Sequence, residues 1–408
     1  MKAAAVKWRT DWDKDVITGN FARRNWVRWN RETDGPDGWN ILWGSVNTVR
    51  DIFAADSGIR LSESQIVNHF PNHQELTRKD LMYKNLRRYR KESRKQGMDD
   101  AALSFTPLTF ILPQDWPLFL EEARRRPQCT WIFKPHGRAQ GRGIYLINKL
   151  SQLKKYESRV GARGNLDTYV ISEYLDRPLL IGGKKFDLRI YVLVHSYRPL
   201  VAYISREGFC RFCSVKYSRD AADIRNGEMH LTNVALQRNS DAYNAAHGNK
   251  WPLSQLLLHL EQAHGPGTGQ RLQNSIDFVV LHSLRAVQGS VDSNRHCFEL
   301  YGYDLMVDDS LRAWLIEANA SPSLTATTPE DRRMKARVVH EALQIVAPAD
   351  WRSLESRFTK EMPRRVGSFE LLYDEREELK AKKQQAREAL ERGRLSSRSE
   401  RRSGVVLW

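Results

Sequence analysis

The chain has 408 residues, 41% of them hydrophobic, and a formal net charge of +16. It is long enough for about two or three packed units with a substantial core. No apolar run approaches the roughly 20 residues that span a bilayer, and the N-terminus lacks the apolar stretch of a signal peptide. The sequence therefore predicts a soluble intracellular protein whose positive charge attracts nucleic acid, anionic membrane or acidic protein.

The cysteines favour reduced thiols over a zinc site. Cys210 and Cys213 form a C-x-x-C, but in a strand-like run this spacing directs the two thiols to opposite faces. No second C-x-x-C is present to complete a zinc site. We expect free thiols in a reducing compartment.

The first 75 residues predict a small α/β unit, with strands at 6–8, 26–29 and 39–43 and a helix at 13–24. The unit is rich in tryptophan, and the strand-like spacing favours core packing over stacking on nucleic-acid bases. A strongly basic helix is predicted at 77–95. Its charge fits either a solvated face or an anion-binding face.

A glycine-rich hairpin is predicted after residue 131. The strand 131–134 ends at Lys134, a loop with several glycines follows, and a second strand is predicted to begin at Gly143. The segment is neither a Walker A loop nor a Rossmann fingerprint, because the following helix is missing. Its backbone N–H groups can fold over phosphates, with Lys134 adding charge, although such hairpins also occur without ligands.

The next segments predict a helix at 148–159 and a strand at 168–175, whose end offers backbone groups to an adenine ring. On the strand predicted at 184–194, Lys185, Asp187 and Arg189 share one face. These charges fit a site for an anionic ligand or a rim of ion pairs. The run 200–204 is predicted to turn at 206–208 and to return through 209–215.

A second hairpin, with strands at 297–308 and 313–320 and a turn at 309–312, carries oxygen ligands. With a four-residue loop, Asp304 lies directly opposite Glu317. Alternation places Leu315, Glu317 and Asn319 on one face. Two carboxylates and an amide oxygen on adjacent strands suit Mg²⁺, whereas the plainer interpretation is a hairpin with a polar outer face.

Beyond these strands we predict a helix at 330–346 and a change of composition at 349. Residues 374–394 are charged and helix-prone, acidic first and basic later, which suits the helix dipole. The Arg/Ser-rich stretch 396–403 is expected to be disordered. The region fits a solvated tail or a cationic arm for an acidic partner.

Several motifs occur in order: Lys-Pro with the glycine loop, Lys-Phe-Asp-Leu-Arg, His-Leu-Thr-Asn, and Ile-Glu-Ala-Asn-Ala-Ser-Pro. With them the chain resembles the tubulin tyrosine ligase-like family over about residues 1–348. The segments 68–82, 179–183 and 208–217 resemble the polyglutamylase subgroup. The resemblance implies an α/β (α+β) ATP-grasp fold, with an N-terminal domain (1–75), a central domain (76–184), a C-terminal domain (185–348) and a basic, partly helical or disordered tail (349–408).

The resemblance also implies roles for individual residues. The metal ligands would be Asp304, Glu317 and Asn319, and the catalytic residues Lys185, Asp187, Arg189 and Arg211. A basic residue near the start of the central domain is expected at Lys79, with Lys84 as the alternative. The nucleotide would contact Lys79, Lys134, Gln140, Gly141, Arg142, Gly143, Ser172, Glu173, Leu175, Lys185, Asp187, His230, Thr232 and Asn233.

The activity implied is the ATP- and Mg²⁺-dependent addition of glutamate to glutamate side chains in acidic tubulin C-terminal tails, through an acyl phosphate. Free glutamate, microtubules and companion subunits would be its partners, without nucleic acid or membrane. Its location would be the cytoplasm and cytoskeleton, including the axoneme and basal body of cilia or flagella. A glycine ligase, a glutamate ligase with a non-tubulin substrate, a basic nucleic-acid-binding protein and a non-catalytic scaffold remain alternatives.

Overall fold

The fold was analysed in a computed structural model. It is a mixed α/β arrangement in which three sheets carry most of the strands. The structure describes residues 5–135, 141–153, 168–238, 240–244, 249–348, 351, 353–359 and 361–403.

The N-terminal sheet is parallel, with strand order β2-β1-β3-β4. Its strands are β1 Lys7–Thr10, β2 Val27–Arg28, β3 Ile41–Trp43 and β4 Ile66–Val67, and its helices are α1 Asp15–Arg23, α2 Arg31–Asp34 and α3 Val46–Ile52. Trp8, Trp39 and Trp43 are buried. The tryptophans therefore pack in the core, which confirms the preferred interpretation of their spacing.

Two helices follow, α4 Gln74–Thr77 and α5 Lys79–Lys95. Helix α5 buries Met82, Tyr83 and Leu86 on one face, while most of its lysines and arginines are exposed. The sequence prediction for 77–95 is confirmed, because an apolar stripe on an otherwise basic helix needs only one packed face.

The central sheet is antiparallel, with order β5-β8-β6-β7. Its strands are β5 Thr109–Leu112, β6 Trp131–Pro135, β7 Tyr145–Ile147 and β8 Tyr169–Glu173, and helix α6 Trp116–Arg125 packs on it. Strand β7 begins at Tyr145 rather than at Gly143. Gly143 has a φ of +74°, a left-handed conformation that strands do not adopt.

The prediction of a helix at 148–159 is wrong where it can be compared. The described part forms a single 3₁₀ turn, Leu150–Leu153, and residues 154–159 lie outside the described residues.

The large sheet has eight strands, with a main order of β14-β13-β10-β11-β16-β15. Strand β9 pairs with β10, and β12 pairs with β11. The strands are β9 Leu180–Ile181, β10 Lys184–Tyr197, β11 Leu200–Phe212, β12 Lys250–Pro252, β13 Glu299–Val307, β14 Ala313–Asn319, β15 Arg365–Val366 and β16 Phe369–Asp374.

Helices cover both faces of the large sheet, which explains the apolar run along β10. Residues such as Leu188 and Ile190 pack with α9 Leu253–His264 and α10 Thr268–Gln288. Residues such as Tyr191 and Leu193 pack with α11 Pro329–Val346. Lys185, Asp187 and Arg189 share the α11 face. Between β11 and β12 lie a 3₁₀ turn, Ala221–Arg225, and the short helices α7 Gly227–His230 and α8 Val234–Gln237.

The prediction of a turn at 206–208 is wrong, because β11 runs through it as one strand of 13 residues. The strand pairs with β10 on one side and with β16 on the other. Instead of a turn, the structure has a shift in the register between β10 and β11 after Ile190. Gly208 allows the main chain of β11 to approach the main chain of β10 closely. A Cβ atom at this position would lie 2.5 Å from the carbonyl oxygen of Arg189.

The region after residue 349 is not simply a tail. Residues 351–374 contribute helix α12 Leu354–Thr359 and the strands β15 and β16 to the fold, and Trp351 is buried in its core. Helix α13 follows as Glu375–Ser403, so the expectation of disorder at 396–403 is also wrong. In the part of the chain that the structure describes, none of the helices combines the length and apolarity needed to cross a bilayer.

Candidate active site

The α11 face of the large sheet forms the floor of a cavity of about 870 Å³, which the central sheet faces with Lys134, Glu173 and Leu175. The charged floor residues lie side by side because strand register places them there. One row crosses four strands, and its cross-strand partners in order are Glu317, Asp304, Arg189 and Phe209. The neighbouring row is Asp187, Arg211 and Lys250.

Asp304 and Glu317 are direct cross-strand partners, as the sequence predicts. The route to this register differs from the prediction. The connection between β13 and β14 has five residues, 308–312, one more than predicted, which shifts the pairing by one residue. A bulge at Ile316, between the pairs Leu305–Leu315 and Asp304–Glu317, shifts it back. Leu315 therefore pairs with Leu305 and lies in the core, so the prediction that it shares a face with Glu317 is wrong.

Asp304 is buried between two arginines. Arg189 donates to it from Nε at 2.6 Å and from Nη2 at 3.2 Å, and Nη2 of Arg211 lies 2.8 Å away. Burial opposes ionisation, but the two guanidinium groups outweigh it and hold the pKa of Asp304 below its usual value. The carboxylate is therefore charged at neutral pH.

Arg211 also makes a bidentate pair with Asp187, with N–O distances of 2.7 and 2.6 Å. The hydroxyl of Thr232 donates to the same carboxylate at 2.6 Å. Two arginines and two aspartates thus form one continuous network on the floor, which holds both guanidinium groups in fixed orientations.

The three predicted metal ligands fit Mg²⁺ by their chemistry and arrangement. Asn319 lines the cavity with Asp304 and Glu317, and its amide donates to Glu317 at 3.3 Å. A carboxylate has about four lone-pair positions, and the arginine contacts to Asp304 occupy three of them. The described residues hold no cluster of three His, Cys, Asp or Glu side chains suited to a metal.

The structure also places the predicted lysines. Lys79 lines the cavity and pairs with Glu317, whereas the alternative, Lys84, is exposed on α5. Burial lowers the pKa of Lys134 to about 8, helped by the charges of Lys79 and Lys185. Burial likewise lowers the pKa of Lys185 to about 8. In both cases burial disfavours the charged form of the ammonium group.

Lys185 belongs to a network that includes a residue the sequence analysis missed, Tyr174. The ammonium of Lys185 donates to the Tyr174 hydroxyl at 2.8 Å and to the carbonyl of His230 at 3.0 Å. Nε2 of His230 lies 3.0 Å from the carbonyl of Asp223, which can only accept, so this nitrogen carries the proton. Nδ1 of His230 then accepts from Tyr174 at 2.9 Å.

Of the glycine-loop residues predicted to contact the nucleotide, only Gly141 is among the described residues that line the cavity. Gly141 lines the cavity with a φ of +77°, and a Cβ atom there would lie 2.9 Å from the amide oxygen of Asn233. Arg142 and Gly143 are exposed and do not belong to the described lining. Gln140 lies outside the described residues.

Two residues of the predicted adenine hinge lie in the cavity wall. Glu173 and Leu175 line the cavity, but the Glu173 carboxylate pairs with Arg126 and its N–H donates to Leu108. Ser172 is fully buried within the sheet, where its hydroxyl accepts from Thr109. The structure therefore does not bring the Ser172 side chain to the described cavity wall.

Known proteins resemble this chain over most of its length. Residues 59–354 match the model of the tubulin-tyrosine ligase family. The chain belongs to this family. "Probable alpha-tubulin polyglutamylase Ttll1" of Tetrahymena thermophila is 46% identical over 396 residues, covering 93% of this chain and 95% of its own length. "Probable tubulin polyglutamylase TTLL9" of Bos taurus is 36% identical over 405 residues, covering 91% and 84%.

The cavity of this tubulin-tyrosine ligase family member is also lined by residues that the sequence analysis does not single out. They include Tyr174, Phe209, Lys250, Met306, Ile316 and Lys335. The alternation of β11 could have indicated Phe209, because it shares a face with Arg211. Lys335 gave a weaker signal, its spacing of four from Asp331 on a predicted helix.

Proposed function

We propose that this protein is a tubulin polyglutamylase with an ATP-grasp architecture. It would add glutamate from solution to the γ-carboxylate of glutamates in acidic tubulin tails, at the expense of ATP. The observation that carries the proposal is the direct pairing of Asp304 with Glu317 in a cavity that is also lined by lysines and arginines. A polar hairpin without a site would not need these charges to converge.

The nucleotide would lie between the central and large sheets. Lys134 and Lys185 would bind its phosphates. Burial lowers the pKa of both lysines, and a bound anion would stabilise their charged forms. Asp304, Glu317 and Asn319 would hold Mg²⁺, which would neutralise part of the negative charge of the nucleotide phosphates. Gly141 and the main chain at Glu173 and Leu175 would close around the nucleotide.

Ligation needs an activated carboxylate, because a free carboxylate is a poor electrophile towards an amine. An oxygen of the acceptor carboxylate attacks the γ-phosphorus, the bond to the β-phosphate oxygen breaks, and ADP leaves. The amine of the incoming amino acid then attacks the acyl carbon, loses a proton, and displaces phosphate. Arg189 and Arg211, fixed by their aspartates, would stabilise the negative charge that develops in both steps.

The substrate assignment has two supports. The two relatives are named as tubulin polyglutamylases and cover most of this chain. Electrostatics favour a polyanionic tail, since the chain carries +16 and α5 exposes several basic side chains: Lys84, Arg87, Arg88, Lys91, Arg94 and Lys95. Helix α5 also supplies Lys79 to the cavity, so an acidic segment bound along this helix would be led towards the site.

We also propose that the protein works with companion subunits on microtubules in the cytoplasm, including those of cilia or flagella. The support is the resemblance of segments 68–82, 179–183 and 208–217 to the polyglutamylase subgroup. A nucleic-acid-binding role has less support, because it leaves the buried carboxylates of the floor without a task.

The test is mass spectrometry of tubulin tails after incubation with ATP, Mg²⁺ and a panel of free amino acids, with and without cell extract. Masses raised by whole glutamyl residues, only when ATP and glutamate are both present, would support the proposal. Phosphate release stimulated by RNA but not by tubulin would contradict it. A product carrying glycine would replace it with the glycine ligase.

A further inference from the structure

Two lysines in the cavity lining, Lys250 and Lys335, have no part in the nucleotide site proposed above. Lys250 lies 4.8 Å from the centre of the Phe209 ring, and Lys335 lies 5.8 Å from it. Both ammonium groups approach Asp331, Lys250 at 2.8 Å and Lys335 at 3.1 Å. Lys250 also donates to the hydroxyl of Thr327 at 3.0 Å.

The end of the cavity around these two lysines has more positive than negative charge. Arg189 and Arg211 are matched by Asp187 and Asp304, whereas Lys250 and Lys335 share Asp331 alone. Burial lowers the pKa of Lys335 to about 8, and the charges of Lys250 and Arg189 lower it further, against the opposing effect of Asp331. A buried surplus ammonium is costly unless an anion joins it.

These lysines lie apart from the nucleotide lysines. Lys134 lies on β6 of the central sheet and Lys185 near the start of β10, whereas Lys250 lies on β12 and Lys335 on α11. Strand register explains the separation, because Lys250 is the cross-strand partner of Arg211 on the side away from Asp187. The arginines that would stabilise the acyl phosphate therefore lie between the two lysine groups.

We propose that Lys250 and Lys335 bind the side-chain carboxylate of the incoming amino acid and thereby make the enzyme select glutamate over glycine. This inference rests on the proposed function and deepens it. An amino acid bound here would present its amine towards Arg189 and Arg211. Glycine has no side-chain carboxylate to match the surplus charge.

The depth of this end favours a free amino acid over the tubulin tail. Lys335 is 2% exposed and Asp331 is 6% exposed, so this part of the cavity lining is shielded from solvent. A tail must enter and leave as a continuous backbone, whereas a single amino acid can be enclosed. The acceptor glutamate would therefore approach from the open side of the cavity.

The test is the steady-state kinetics of Lys250→Met and Lys335→Met, with Lys382→Met as the matched control. Lys382 lies on α13 with a side chain that is 66% exposed. We expect each cavity variant to raise the KM for free glutamate at least about tenfold, since a lost charged contact is of that order. The KM values for ATP and tubulin should stay within about twofold of the parent, as an amino-acid contact touches neither.

Two further measurements keep the proposal open to refutation if Lys335→Met fails to fold. Lys250→Arg keeps the charge and should recover most of the glutamate affinity. Equilibrium dialysis of labelled glutamate with ADP-bound protein should show the same ranking without turnover. An unchanged KM for glutamate in Lys250→Met, or a raised KM for tubulin instead, would overturn the inference. Absence of glutamate ligation by the parent enzyme would instead overturn the proposed function.

Discussion

The ammonium group of Lys79 lies 2.6 Å from a carboxylate oxygen of Glu317, which joins helix α5 to strand β14 at the centre of the cavity. Burial alone would lower the pKa of Lys79, but the charge of Glu317 outweighs this effect and raises it. The ion pair holds a proposed metal ligand in place. It also ties the helix with the exposed basic face to the residues that would carry out the chemistry.

Replacing Glu317 with Gln should abolish ligation while the fold is retained. The amide keeps the shape of the side chain but removes the charge of a metal ligand, so we expect activity to fall by at least about 100-fold. The measurement is ATP-dependent incorporation of labelled glutamate into tubulin, with circular dichroism to confirm folding. Glu121→Gln, an exposed site on α6, is the control and should keep full activity. Ligation by Glu317→Gln at the parent rate would remove the metal assignment.

The use of ATP should weaken above pH 8. Lys134 and Lys185, each with a pKa of about 8, are charged below that pH and lose their protons as the pH rises through it. Because the charged form binds phosphate, kcat/KM for ATP at saturating glutamate should decline between pH 7 and pH 9.

The variant Lys134→Arg tests whether the decline in kcat/KM for ATP comes from deprotonation of the two lysines. Arginine stays charged throughout this range, so the decline should become shallower in the variant, with only Lys185 titrating. A flat profile in the parent enzyme, or an unchanged slope in the variant, would show that these lysines do not bind the nucleotide phosphates.

Asp304 should also matter for stability, because it is the shared partner of Arg189 and Arg211. Asp304→Asn leaves buried guanidinium groups without their full counter-charge, and we expect the free energy of unfolding to fall by about 3–5 kcal/mol. The matched control is Asp277→Asn. Asp277 also pairs with an arginine, Arg206, but both side chains are 23% exposed, so the loss should be about 1 kcal/mol or less. Equal losses in urea unfolding would contradict this account of the floor.

The segment after residue 349 should be required for folding. Trp351, Leu354 and Phe369 are buried in the core, and the guanidinium of Arg357 donates to the carbonyls of His195 and Cys297. A chain ending at 348 should therefore be insoluble or unfolded, whereas one ending at 389 should keep the parent melting temperature to within a few degrees. A cooperative melting transition in the shorter chain would show that this region is a dispensable tail.

The sequence predicts the charged floor well because its signals are local. Alternation along a single strand puts Lys185, Asp187 and Arg189 on one face. The sequence also predicts the pairing of Asp304 with Glu317. In the structure the extra residue in the five-residue connection shifts the register by one, and the irregularity at Ile316 shifts it back. No local pattern reveals that offset, because it depends on how two strands settle against each other.

Other features depend on contacts between distant parts of the chain. Arg206, Glu207 and Gly208 have turn-like composition, but β11 stays extended because residues 200–205 pair with β10 and β16 and residues 208–212 pair with β10. The strand Phe369–Asp374 joins the large sheet more than 150 residues after its partner β11. Lys335 reaches the cavity only because α11 packs on the same sheet face as Arg189.

The most direct test of the central claim follows the oxygen atoms of the acceptor carboxylate. A peptide with the sequence of an acidic tubulin tail would carry ¹⁸O in both oxygens of the acceptor γ-carboxylate and be incubated with enzyme, ATP, Mg²⁺ and glutamate. The account predicts that each glutamate joined to the labelled γ-carboxylate releases one phosphate containing one ¹⁸O atom, and that the other ¹⁸O atom stays in the new amide. Phosphate free of ¹⁸O alongside glutamylated peptide would contradict activation of the carboxylate by phosphorylation.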